Sequence, residues 1–243
     1  MITITDVSRD LSQTERLHAF LLPHFGAEEL EPLSYFTDQI AAGGPVESIL
    51  LLGEEDGQVV CGAVTDLLHM GGDRALGAFG HALVDPSVRG RGVGRLVSEA
   101  ADAAMAGYAA QRGWTIEAHI LESEDAAGRF WSRLGYRWPE GMRYWQPPLG
   151  YHPDGTPALP KVPLLLMVRH AEHAGQIPAA LLEEYTRTLL WQWYRDELPE
   201  QLPDPGARQR ATHWFDNQIV APCLRSIEGD PVTLISLLEA DPA

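Results

Sequence analysis

An apolar strand, a loop of alternating glycine and arginine, and an alanine-rich helix follow one another without a break between Ala78 and Gln111. Ala78 to Val84 reads as the strand. Val84-Asp85-Pro86-Ser87-Val88-Arg89-Gly90-Arg91-Gly92-Val93-Gly94-Arg95 is the loop, and it opens directly into a helix from Arg95 to Gln111. Leu96, Ala100, Ala103, Ala104 and Tyr108 lie on one side of that helix, and Gly113 ends it as a C′ glycine would. Glycines at 90, 92 and 94 remove side chains where the backbone must come close to something. Their N–H groups sit at the positive end of the helix, where an anion is favoured. Arg89, Arg91 and Arg95 add positive charge over the same short span. A pyrophosphate suits both features, so this stretch predicts a phosphate cradle.

The common nucleotide loops do not fit. No lysine follows these glycines as a Walker loop would need, and their order is not Gly-x-Gly-x-x-Gly. A plain glycine turn between strand and helix is the bland alternative. The order Arg-x-x-Gly-x-Gly at Arg89, Gly92 and Gly94, preceded by Val-Asp-Pro at Val84 to Pro86, resembles the signature of the GNAT superfamily of acyl-CoA-dependent N-acyltransferases. The continuation resembles it too. A short strand at Trp114 to Leu121 precedes a helix at Ala126 to Leu134. Phe130-Trp131-Ser132-Arg133-Leu134-Gly135-Tyr136 is similar to the family's Leu-Tyr-x-x-x-Gly-Phe ending. The resemblance extends over residues 1–170.

That resemblance implies an α/β (α+β) fold: a mixed, mostly antiparallel twisted sheet flanked by helices, here with a C-terminal helical hairpin added. The expected domains are an acyl-CoA-binding acyltransferase domain at 1–170 and a helical extension at 171–243 packed on it. The rest of the chain accommodates this. Ile2 to Val7 reads as a first strand, Asp10-Leu11-Ser12 starts a helix carrying Leu17, Phe20 and Leu21 inward, and a second helix is predicted over Glu28 to Ala42. Ser48 to Gly53 and Val59 to Leu68 alternate as strands about the turn Glu55-Asp56-Gly57. Gly71-Gly72-Asp73 marks another turn. Strands near Met142 to Gln146 and Val162 to Arg169 flank a turn-rich loop, and a loop of that length is more often functional than accidental. Tyr151 and His152 at its centre are candidate acceptor contacts. Pro178 to Leu198 and Ala207 to Val220 are predicted helices. Their aromatics, among them Trp191, Trp193, Tyr194, Trp214 and Phe215, extend the core, cap the acceptor site or form a homodimer contact.

Charge and composition narrow the function. The 243 residues carry a formal net charge of −16, which argues against nucleic acid and modestly favours a cationic acceptor such as an amine, with general solubility an equal reading. Cys61 and Cys223 provide no disulfide framework. The start of the chain lacks a basic, apolar leader, and Val162 to Val168 is too short to span a bilayer. A cytoplasmic protein with no membrane association and no metal is expected.

The donor implied by the resemblance is acetyl-CoA or another acyl-CoA, and the acceptor a small-molecule amine or a peptide. Leu83, Val84, Arg89, Gly90, Arg91, Gly92, Val93, Gly94, Arg95 and Trp131 would then bind the donor, with the backbone of Leu83 or Val84 at the thioester carbonyl. Acyl transfer to an amine needs a group to take the amine's proton. The alternation of Thr115 to Ile120 places Glu117 and His119 on one strand face. His119 falls where the superfamily's ribosomal-protein N-terminal acetyltransferases carry a glutamate base, and His81 is the second candidate, ahead of Glu117. Glu117 and Tyr151 are candidate acceptor contacts. Trp131 stands where the family's acidic tyrosine stands, so Tyr136, Tyr144 or Tyr151 supplies the proton for the leaving thiolate, or none is needed. Glu124 likewise replaces an asparagine of the pattern. A non-catalytic acyl-CoA-binding or interaction module of the same fold is the alternative that these departures allow.

Overall fold

A computed structural model describes residues 1–27 and 29–238, which group into two compact units dividing between Ile116 and Glu117. The first unit runs β1 (Thr3–Asp6), α1 (Leu11–Phe25), α2 (Leu33–Ala42), β2 (Ser48–Glu55), β3 (Gln58–Gly71), β4 (Arg74–Val84) and α3 (Val93–Gln111). β1 to β4 pair antiparallel in chain order. The β2–β3 hairpin closes through Asp56 and Gly57, both at positive φ, the conformation an Asp-Gly turn supplies. Asp10 caps α1 by accepting from the Gln13 N–H at 3.1 Å. α2 starts at Leu33, later than its expected Glu28, because Pro32 disfavours helix before it and stands as the N-cap; Glu28 itself lies outside the described residues.

Alternation in β2 gives the sheet two apolar faces. Leu50, Leu52 and Val64 pack with Leu17, Leu21 and Phe36 of α1 and α2, while α3 packs along β2, β3 and β4. The register of β3 against β4 slips once: Val64 faces His81 but Thr65 faces Phe79, so Gly80 is an extra residue and β4 is bulged there. Before the bulge, Ala75 to Phe79 are buried. After it, His81 to Val84 are half-buried, so the bulge turns the end of the strand outward just before the cradle.

β5 (Thr115–Ser123) runs across the division. The second unit continues with α4 (Asp125–Arg133), β6 (Trp138–Pro139), β7 (Tyr144–Gln146), β8 (Val162–His170), β9 (Gln176–Ile177), α5 (Ala179–Leu190), α6 (Leu198–Gln201), α7 (Pro205–Phe215), α8 (Ala221–Arg225) and β10 (Val232–Ile235). β8 pairs antiparallel with both β5 and β7, and β10 pairs antiparallel with both β6 and β9. The helices after residue 170 are more than a hairpin. α5 and α7 each run on through a π-turn, at Trp191–Arg195 and Asp216–Val220, and β10 returns the chain to Trp138–Pro139. Among the described residues no helix is long and apolar enough to cross a membrane.

The loop 147–161 is docked on this unit. Tyr151 packs against Leu198, Leu202, Ala207 and Ala211, and burial pushes its hydroxyl pKa up to about 12. Gly155 has φ +85°, and a Cβ there would lie 2.2 Å from the Ala207 carbonyl oxygen. Backbone cannot yield as a side-chain tip can. Gly155→Ala should therefore cost about 2–4 kcal/mol through backbone strain and overpacking, read as a lower urea midpoint. An unchanged midpoint would show that the loop is not held on α7.

Candidate functional site

The cradle forms in the first unit as its sequence predicts, with one difference. Gly90 and Gly92 have φ of 77° and 80°, the left-handed region that glycine adopts without strain, whereas Gly94 already lies in the first turn of α3. A Cβ added at Gly90 or Gly92 would meet no protein atom within 4 Å. The glycines are needed here for the turn, and the space in front of them is open. Asp85 accepts from the Ser87 N–H at 2.8 Å and from its hydroxyl at 2.5 Å, which holds the Asp85 carboxyl below its usual range and fixes the turn Pro86–Val88. The N–H groups of Arg95 and Leu96 donate to the Gly92 carbonyl. α3 starts from Gly92 with no side chain capping its first N–H groups, which is how an anion-binding helix start presents itself. A pyrophosphate therefore fits these residues.

The three arginines are not equivalent. Arg89 donates from Nε to the Val84 carbonyl at 3.1 Å, bracing the loop against the end of β4. Arg91 turns back to Glu55 at the β2–β3 hairpin, with two hydrogen bonds of 2.8 and 2.7 Å. Its charge is largely answered by that carboxylate, so the local field of the cradle rests more on Arg89 and Arg95. The Arg91 guanidinium draws the Glu55 pKa from 4.5 down to about 2. A depressed carboxyl stabilises the folded state above its unfolded pKa and loses that contribution as pH falls toward the folded one. Wild type should thus exceed Glu55→Gln in stability above pH 4.5, and the two should converge as pH falls to about 2. A pH series of urea melts checks this, and a constant difference across that window would refute it.

His81 follows the bulge, three residues before Val84. Its ring lies 4.7 Å from that of Phe25, and its Nε2 is 3.6 Å from Glu31 Oε2. The first unit thus brings together His81, Leu83, Val84 and the cradle along one continuous stretch.

The other predicted residues fall in the second unit. Glu117 and His119 share a face of β5, with His119 opposite Arg169 of β8. Glu117 Oε2 accepts from the Tyr185 hydroxyl at 3.4 Å. Trp131 is buried, edge-on to Tyr136 at 5.5 Å. Tyr144 is 2 % exposed and donates to Glu122, which also accepts from the Tyr194 hydroxyl at 2.6 Å. Burial first, then the Glu122 charge, pushes the Tyr144 pKa well up. Its hydroxyl is committed to that carboxylate, and Tyr151 is committed to the α6–α7 cluster. A cavity of about 510 Å³ between the 147–161 loop and α7, lined by Arg210, His213 and Trp214, contains none of the predicted site residues.

Sequence reasoning missed Phe25, Glu31, Glu55 and Glu122, and it named Tyr194 only among the aromatics of the C-terminal extension. The only local signal was the Asp-Gly turn, which marks where Glu55 ends its strand. Among the described residues no group of His, Cys, Asp and Glu is arranged to hold a metal ion.

Residues 47–138 match a family profile described as an acetyltransferase (GNAT) domain. No curated protein sequence matches significantly. Among solved structures, an acetyltransferase of the GNAT family from Bacteroides thetaiotaomicron is similar at 18% identity, over 79% of this chain and 96% of its own, with a TM-score of 0.51. An acetyltransferase of the same family from Streptococcus pneumoniae is 16% identical over 70% of this chain and 99% of its own, with a TM-score of 0.46. An N-acetyltransferase from Lactobacillus plantarum is 19% identical over 70% and 97%, with a TM-score of 0.42. Residues 47–138 are therefore similar to a GNAT domain, and the chain has the GNAT fold with further helices C-terminal to it.

Proposed function

We propose that the protein is an acyl-CoA-dependent N-acyltransferase that moves an acyl group, acetyl in the simplest case, to the primary amine of a small molecule or peptide. The observation that carries this is the row of N–H groups at the start of α3, which no side chain caps, within the stretch that matches the family profile. Those groups would hold the pyrophosphate of the donor, with Arg89 and Arg95 supplying charge. The half-buried backbone of Leu83 and Val84 would align its acyl end. When bound, acyl-CoA supplies an activated thioester carbonyl and a thiolate that leaves readily.

His81 is the base we favour, because it sits between the bulge and the cradle with a carboxylate beside it. His119, with Glu117 on its face, is the second. No protein acid is assigned to the leaving thiolate, since the Tyr144 hydroxyl is held by Glu122 and the indole N–H at Trp131 is too weak an acid to protonate a thiolate. The net charge of −16 supports a cationic acceptor and argues against nucleic acid. We assign the acyltransferase domain to 1–170 and the extension to 171–243.

Titrating acetyl-CoA into the protein and then following CoA release over a panel of amines tests the proposal. Binding with turnover supports it. Binding without turnover on any amine favours a non-catalytic module, the second possibility left open by a buried Trp131 at the tyrosine position. Absence of binding removes both.

A further inference from the structure

The elbow between α1 and α2 presses a carboxylate against the outward-turned end of β4. Glu31 is flanked by Leu30, which is 3 % exposed, and by Pro32, the N-cap of α2. Its carbonyl oxygen lies 3.1 Å from His18 Nε2, on α1. Three neighbours thus fix its backbone, and its side chain reaches Oε2 to 3.6 Å from His81 Nε2. His81 is 14 % exposed and Glu31 45 %, so the imidazole is largely covered while the carboxylate meets solvent. Phe25 closes a further side of the ring at 4.7 Å.

We propose that Glu31 is a positioning residue: its carboxylate, 3.6 Å from Nε2 and just beyond hydrogen-bond length, favours the proton on that nitrogen of His81 and leaves Nδ1 as the basic nitrogen for the acceptor amine. The inference rests on His81 being the base of the proposed acyltransferase. In the step it serves, the amine nitrogen forms a bond to the acyl carbon and its proton passes to His81 Nδ1. The carbon–sulfur bond breaks, and its electron pair leaves on the CoA sulfur. The imidazolium so formed has its positive charge beside the Glu31 carboxylate, which stabilises it without itself taking the proton. A carboxylate that orients a histidine in this way fixes its tautomer as well as its ring angle. The α1–α2 elbow therefore tunes the base from outside the strand that carries it.

The test uses the full chain with Glu31→Ala and Glu31→Gln, followed by steady-state kinetics and by ¹⁵N spectra of the His81 ring. Glu31→Ala should lower kcat roughly tenfold, leave acceptor KM and acetyl-CoA affinity within about twofold, and lose the Nε2–H tautomer signature. Glu31→Gln can still accept from Nε2–H through its amide oxygen, so it should restore that signature and part of kcat. A rise in KM at constant kcat would overturn the inference and make Glu31 an acceptor contact. An unchanged His81 tautomer in Glu31→Ala would overturn it as well, as would the same loss when Glu31→Ala is added to His81→Ala. The spectra judge the Glu31–His81 pairing alone. Full activity in His81→Ala would instead remove the base assignment beneath it, whatever the spectra show.

Discussion

Replacing Gly92 by aspartate should abolish acetyl-CoA binding while leaving the protein folded. Gly92 has φ 80° and is the N-cap of α3. An L-residue enters the left-handed region at a cost of about 1–2 kcal/mol, which aspartate partly offsets because its short side chain bonds locally. The added Cβ meets nothing within 4 Å, and aspartate at a helix start is electrostatically favourable. The fold has little reason to fail. The carboxylate, however, would occupy the place kept for the donor's phosphates and accept from the N–H groups that should hold them. Affinity should fall at least 100-fold, or roughly 2.7 kcal/mol. Gly92→Ala carries comparable backbone strain without the charge, so its smaller loss isolates the anion competition. Calorimetric titration with circular dichroism as the folding control decides it. A folded Gly92→Asp protein with the affinity of wild type would mean the loop is only a turn.

What was legible in the sequence was local. The Asp56-Gly57 turn, the Asp10 cap and the left-handed glycines at 90 and 92 are each set by a residue's own backbone preferences, so they can be read without knowing the fold. The strand–loop–helix about the cradle followed from them. Partners distant in the chain left no such trace. Arg91 finds Glu55 across 36 positions, and Tyr194 finds Glu122 across 72, so a cluster of three arginines in sequence is not three available charges in space. Strands β6 and β9 are two residues long, too short to show alternation, and β10 is only four. The loop 147–161 was expected to serve the acceptor because of its length. Its middle is anchored on α6 and α7 by the packing of Tyr151 and the close approach of Gly155 to Ala207, both contacts made by side-chain shape and backbone proximity rather than by composition.

His81→Ala should lower turnover by about 10²- to 10⁴-fold, the range expected for loss of a general base, and leave acetyl-CoA affinity close to wild type. The two histidines stand in different units, His81 on β4 beside the cradle and His119 on β5 with Glu117, so parallel variants separate them cleanly. The His81 imidazole has Glu31 Oε2 at 3.6 Å and the Phe25 ring at 4.7 Å. His119→Ala should then cost less than His81→Ala at neutral pH. The base matters most where the acceptor arrives as an ammonium ion; at higher pH more acceptor is already deprotonated, so the deficit of His81→Ala should narrow. Measuring kcat for both variants with a single amine across pH 6 to about 10 resolves the assignment. A large, pH-narrowing loss in His119→Ala with near-normal turnover in His81→Ala would exchange their roles. A pH-independent loss in both would leave neither as the base, and proton removal would then fall to water around the acceptor.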